Sequence, residues 1–350
     1  MIQTSVEWLL PCASGSLKGL QQSNLASIRL RAAVCLRAAV GKQWHANIGD
    51  GQQSSGASTV IVGKLDFITD AGRPERWLRH LASARKRGAR IVIDYTDHHL
   101  ETGTAADGFY AEALDFADLV ICSSTRLARL ICPFRAGPIA IIEDPIEVPI
   151  TPPLACDREP RTALWVGHST NLPYLLEFLC NDFALPEPMR LIAMTNAYPL
   201  PNDYARMLER PSLSQLEICV VPWSLPDMIA AASISDACWI PAGLNSKRKT
   251  GASSNRLLTA LALGLPVAAD ELESYLPLRK YFASLHTPEF AALMREPEAH
   301  FVKVREAQVL IARDYTMAAI GRQWLDLLGE DAASHSAAPH VLTKGDVIHD

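Results

Sequence analysis

Twice along this chain short apolar runs alternate with longer amphipathic stretches, and a segment that supports neither pattern separates the two series. The separating stretch, IEVPITPPLACDREP at 146–160, holds four prolines and no periodicity, the composition of a linker between compact bodies. Before it, strands are expected at 6–10, 60–62, 90–94, 119–122 and 139–142, with helices at 24–40, 76–87, 108–117 and 126–131. After it the alternation restarts at ALWVG (163–167) and continues through RLIAM (190–194), LEICVVPW (216–223), ACWIP (237–241) and PVAA (266–269). Strands that alternate with helices return parallel to one another through right-handed crossovers, so each series predicts a mostly parallel sheet wrapped by helices. At 350 residues the chain also exceeds the usual size of a single core. One helix over about 306–328 is expected to end the fold, and the small, polar, aperiodic last twenty residues are expected to be disordered.

Composition narrows the function. A net charge of −5 and a pI near 6.1 give no global basic field for nucleic acid. The eight cysteines form neither a CxxC pair nor a Cys/His ligand spacing, which argues for reduced thiols in a cytoplasmic protein and against zinc. The first residues, MIQTSVEWLLPCASG, lack a basic start and a long apolar core, and are read as a first strand. No apolar run reaches ~18 residues, the length needed to span a membrane.

In the order ADLVICSST, IIEDPIEVP, LWVGHSTNLPYLLEF, VPWSLPDMIAAASISDACWIP and NRLLTALALGLPVAAD, residues 115–275 resemble the nucleotide-sugar glycosyltransferases of the GT-B fold, specifically the family 4-like group. The first 110 residues resemble them poorly. The resemblance implies an α/β fold with two Rossmann-like domains facing across a cleft. It implies an acceptor domain at 1–150, a linker at 151–160 and a nucleotide-sugar domain at 161–305. A C-terminal helix at 306–330 would return towards the first domain, and 331–350 would form the tail. No metal and no cofactor are implied, the nucleotide sugar being a substrate. Members usually carry two glutamates eight positions apart around the helix that precedes Gly-Leu-Pro-Val. Here Gly251 and Thr259 stand at those positions, and His168 and Asn171 stand where an Arg and a Lys usually follow the glycine of the first strand.

Ligands of open parallel sheets sit outside the carboxyl ends of the strands, where the next helices begin. The loop 242–252 and the helix from Ser253 therefore belong to a candidate donor site, and they are crowded with positive charge: Lys247, Arg248, Lys249 and Arg256. A helix N-terminus already favours anions. Adding a guanidinium fork and ammonium groups makes a diphosphate site, with Asn255 and Thr259 on the same helix. Gly167, His168 and Asn171 form the matching turn after the first strand of that domain. In the first domain, the loop CASGSLKG with Gly15 and Gly19 follows strand one.

DYTDHH at 94–99 is the other unusual cluster, directly after a buried strand. A general base on an acceptor hydroxyl is expected from His98 or Asp97. A metal is not, because adjacent side chains diverge and no third ligand is evident. Arg29 and Arg31 are expected on a solvated helix face, and Glu143 and Asp144 at a hinge. The function expected is transfer of a sugar from a nucleotide diphosphate donor to a hydroxyl of a glycan or related acceptor, in bacterial-type surface polysaccharide or glycoconjugate synthesis. Peripheral contact with a membrane surface is compatible with this; spanning is not. The alternatives are a catalytically silent GT-B protein that binds nucleotide or glycan and, more weakly, an epimerase of the same fold.

Overall fold

The computed structural model describes residues 4–11, 16–42, 44–53, 55–66, 69–155, 161–180, 185, 187–196, 198–204, 213–246, 249–329 and 341–342. Two compact units divide the chain: residues 1–145 with 247–253 and 315–350, and residues 146–246 with 254–314.

The first unit is built on six parallel strands, β1 (Thr4–Leu9), β2 (Trp44–Gly49), β3 (Thr59–Val62), β4 (Arg90–Tyr95), β5 (Leu119–Cys122) and β6 (Ile139–Ile141). Their order is β6-β5-β4-β3-β1-β2. TVIV and LVIC are buried along their whole length, as expected of strands covered on both faces. On one face lie α3 (Arg73–Lys86), α4 (Ala105–Phe116) and α5 (Thr125–Ile131), whose Trp77, Phe109 and Leu127 pack with Val60, Ile91 and Ile93. The other face is covered by α1 (Leu17–Gln21), a π-helical turn (Ile28–Ala32) leading into α2 (Ala33–Ala39), and the last helix, Met317–Leu328. Strand β2 was not expected from the sequence: at the sheet edge WHANIG is partly exposed and needs no continuous apolar run.

Arg31 corrects a second expectation. It is not solvated but fully buried, and its Nε and Nη2 donate to Asp94 Oδ1 at 2.8 and 2.7 Å. Nη1 donates to the Ile142 carbonyl at 2.6 Å and to Asp144 at 3.1 Å, and the guanidinium lies 5.1 Å from the Trp324 ring centroid. Asp144 Oδ2 also accepts from Ser253 Oγ at 2.7 Å. One cation thus joins all three stretches of chain that make up this unit. Burial works against its charge, but Asp94 and Asp144 outweigh that and hold its pKa above the ordinary arginine value.

The second unit has six parallel strands, β7 (Arg161–Val166), β8 (Met189–Thr195), β9 (Leu216–Pro222), β10 (Ala237–Ile240), β11 (Val267–Ala269) and β12 (Phe282–Ser284). Their order, β12-β11-β10-β7-β8-β9, reverses between β10 and β7, the topological switch point of a doubly wound sheet. Its helices are α6 (Leu172–Cys180), α7 (Leu225–Ala232), α8 (Asn255–Ala262), α9 (Pro288–Arg295) and α10 (Phe301–Asp314). Trp239, Phe178 and Phe290 meet edge-on in the core at centroid separations of 5.6–6.0 Å. Gly264 ends α8 at φ 85°, and a Cβ there would come 2.7 Å from the Thr151 carbonyl oxygen. This glycine is required twice, for the left-handed turn and for the close approach of chain leaving the proline-rich segment.

Two further expectations change. The single helix at 306–328 is two, α10 and α11 (Met317–Leu328), because the Thr316 side chain accepts from Ala319 N–H and starts a new helix. Within the tail, Val341–Leu342 forms a short strand, β13, antiparallel to β6; residues 330–340 and 343–350 lie outside the described residues.

Removing the Arg31 charge leaves Asp94 buried without compensation. Arg31→Met is expected to destabilise the first unit by about 3–5 kcal/mol, and Arg31→Met with Asp94→Leu to recover much of that. Denaturant unfolding of both variants checks it; an unchanged midpoint for Arg31→Met would refute the role.

Candidate functional site

The carboxyl ends of each sheet gather polar residues that the core cannot hold. In the first unit the chain leaves β4 through Tyr95, whose buried hydroxyl accepts from the His99 and Leu100 amides at 2.7 and 3.3 Å. That turn fixes Asp97, His98 and His99. His98 Nδ1 lies 3.5 Å from the same hydroxyl, and the His99 ring stacks on Tyr110 at 4.9 Å. Both histidines are buried. Lys64, two residues past β3, pairs with Asp97 at 2.5 Å. Burial works to raise the Asp97 pKa, but Lys64, with smaller contributions from His99 and Lys249, holds it at about 2. Asp97 is therefore a fixed negative charge and a poor proton acceptor at neutral pH. Of the two candidate bases, His98 has the more suitable chemistry.

Lys249 acts electrostatically on Asp97 and belongs to this group, within the segment 247–253 that the first unit includes. Ser124 caps α5 by accepting from Leu127 N–H and donates to the Gly251 carbonyl at 2.9 Å. A Cβ on Gly251 would lie 3.0 Å from Leu127 Cδ1 and 3.4 Å from its Cα, a close packing contact. Lys247 and Gly15 lie outside the described residues. Gly19 is not in a loop: it sits inside α1, where its N–H donates to the capping Ser16 at 3.1 Å, because Ser16 supplies the start signal that the glycines obscured.

In the second unit the turn after β7 carries Gly167, where a Cβ would strike the Trp165 ring at 2.5 Å. His168 is exposed and caps the following 3₁₀ turn through Nδ1, and the Asn171 N–H donates to the His168 carbonyl at 2.7 Å. Asn255, Arg256 and Thr259 lie on α8. Thr259 is buried, 3.5 Å from Asn255 Oδ1 one turn earlier. Arg256 is half-buried, and its guanidinium faces the buried Tyr275 hydroxyl. Burial raises the Tyr275 pKa, and the Arg256 charge and hydrogen bond oppose that rise.

Sequence reasoning missed Lys64, Tyr95, Tyr275, Asp270 and His286. Asp270 follows β11 and is 4% exposed; its Oδ2 accepts from Ala242 N–H at 2.6 Å, and His286 Nε2 lies 2.8 Å from Oδ1. A charged residue directly after an apolar strand was the available signal, as it was for DYTDHH. Among the described residues no cluster of three or more His, Cys, Asp or Glu is arranged to hold a metal ion.

No protein-family model matches the chain, and no curated protein matches its sequence. Solved structures do match its fold. HepE of Anabaena, in complex with UDP and glucose, is 10% identical with a TM-score of 0.63, over 93% of this chain and 99% of that one. An E. coli trehalose-6-phosphate structure with UDP-2-fluoro glucose bound gives 10% identity and 0.56, over 93% and 99%. The lipopolysaccharide outer core galactosyltransferase WaaB, in apo form, gives 12% and 0.54, over 93% and 98%. At these identities the likeness establishes architecture: the chain has the two-domain α/β fold of GT-B proteins.

The Asp97 ion pair is directly testable. The Asp97 carboxyl should titrate at about 2 by side-chain carbon NMR, and Lys64→Met should move it towards the ordinary value of about 3.9. Because the folded pKa is depressed, this pair stabilises the fold above the unfolded value and loses that effect as pH falls towards 2. A Lys64→Met titration superimposable on wild type would refute the pairing.

Proposed function

We propose that this protein is a glycosyltransferase that moves a sugar from a nucleotide diphosphate donor to a hydroxyl of a glycan or related acceptor, as family 4-like GT-B enzymes do. The observation that carries the reading is the second unit's switch point between β10 and β7, with Arg256 on the first turn of α8 beside it. Helix N–H groups, the macrodipole and a guanidinium there suit a departing diphosphate, and Gly167, His168, Asn171 and Asn255 complete the donor contacts. Lys249 and Lys247 add charge. In the first unit His98 takes the acceptor proton, while Asp97 orients the group around it. UDP is the first nucleotide to test, since HepE and the E. coli structure hold UDP or a UDP sugar.

Metal independence is part of the proposal, as is a role in surface polysaccharide or glycoconjugate synthesis at the cytoplasmic side of a membrane. No described helix is long and apolar enough to cross one. A second reading, a silent binding module, is favoured by Gly251 and Thr259 in place of the paired glutamates. Release of UDP from UDP-sugars in the presence of a glycan acceptor separates the two.

Arg256→Ala should weaken UDP binding by roughly 1.5–3 kcal/mol, the range for hydrogen bonds to charged groups, and leave uridine binding unchanged. Arg256→Lys should recover only part, lacking the fork. Calorimetric titration decides it: equal UDP affinity in wild type and Arg256→Ala removes Arg256 from the site. Turnover that survives exhaustive chelation is the expected result for metal; loss restored by a divalent cation would overturn that part.

A further inference from the structure

Asp270 is a carboxylate sealed at the end of β11, where three neighbouring elements converge on it. The strand-end loop after β10 supplies the Ala242 N–H at 2.6 Å and the residue two past β12 supplies the His286 ring at 2.8 Å; the Arg256 charge, on the first turn of α8, acts on the carboxylate through space. A buried carboxylate is retained only where partners replace its lost hydration. The carboxylate bridges an imidazole and a backbone N–H; burial raises its pKa, and the Ala242 amide, His286 and the Arg256 charge oppose that rise.

The exposures of the pair differ sharply. Asp270's side chain is 5% exposed and that of His286 is 62% exposed. A surface ion pair has two mobile ends and contributes little; here one end is anchored, and the exposed end is the one that reaches solvent. The His286 ring also meets the Phe178 ring edge-on at 6.1 Å, which further limits its rotation. Two contacts of 2.8 and 2.6 Å through a single carboxylate connect the imidazole to the Ala242 amide, which begins the loop after β10 at the switch point. That is where a ligand of such a sheet sits.

We infer that Asp270 is a positioning residue that holds the His286 imidazole at the diphosphate site to which Arg256 also belongs, with His286 contacting the phosphate oxygens. The inference rests on the donor-site reading above and assigns it a second charged contact. It also gives the site a carboxylate, though in a different role from the missing glutamates: Asp270 orients the protein's own His286 ring and does not take sugar hydroxyls.

The test is calorimetric titration of the full chain with UDP, uridine and inorganic pyrophosphate, for wild type, His286→Ala, His286→Gln and Asp270→Asn, with melting temperature followed throughout. Both His286 variants should lose roughly tenfold in affinity for UDP and pyrophosphate and keep wild-type uridine binding. Asp270→Asn should lose about as much as the His286 variants, because the imidazole loses its anchoring carboxylate, again without loss of uridine binding. A role confined to stability would lower melting temperature and leave the split between diphosphate and nucleoside unmoved. Unchanged UDP and pyrophosphate affinity in both His286 variants overturns the inference, whether or not Asp270→Asn folds. Pyrophosphate binding that depends on His286, without UDP binding, supports the anion site and removes uridine as the donor base. UDP binding that ignores His286 removes only this inference, and wild type that binds neither ligand removes both.

Discussion

The first unit depends on one buried cation. Its chain arrives in three pieces, and Arg31 is where they meet: Asp94 at the end of β4, Asp144 where the first stretch ends, Ser253 through Asp144, and Trp324 stacked on the guanidinium. A fully buried guanidinium has five donors to satisfy and no water to satisfy them. Apolar contacts alone would bring the last helix onto the sheet, but they tolerate sliding. The fork of Arg31 does not, because only one register of the π-helical turn against β4 and β6 aligns it with Asp94, the Ile142 carbonyl and Asp144.

The same constraint reaches the candidate site. Ser253 and Gly251 are held by Asp144 and Ser124, and the segment that carries them also carries Lys249, whose charge acts on Asp97. Gly251 packs closely against Leu127. In the second unit a buried carboxylate, Asp270, is held by the Ala242 amide and approached by His286. Both units thus fix a carboxylate at a strand end with a basic side chain from a neighbouring element, Lys64 with Asp97 and His286 with Asp270.

The strands that were legible are those buried on both faces, such as β3, β4, β5, β7 and β10, because a parallel sheet between helices demands continuous apolar runs. β2 and β12 escaped notice: one is a half-exposed edge, and the other follows the 3₁₀ segment Glu273–Tyr281 with no turn between them to mark its start. The helix break at Thr316 was legible in principle as a capping threonine, but the apolar pattern on either side hid it. Arg31 was read as solvated because a lone arginine inside a helical pattern is usually outside; its partners Asp94 and Asp144 are 63 and 113 residues away.

The sequence by itself determined the two α/β series and the position of α8 after a strand. Both follow from local periodicity and backbone preference. The tertiary structure alone decided which charges are paired and which face solvent: that Arg31 is a core residue, that Lys249 joins Asp97, and that Asp270 holds His286. The physical reason is distance along the chain. Propensity and hydrophobic period act within about ten residues, whereas the energy of a charge depends on its burial and on the nearest opposite charge, which folding brings from elsewhere.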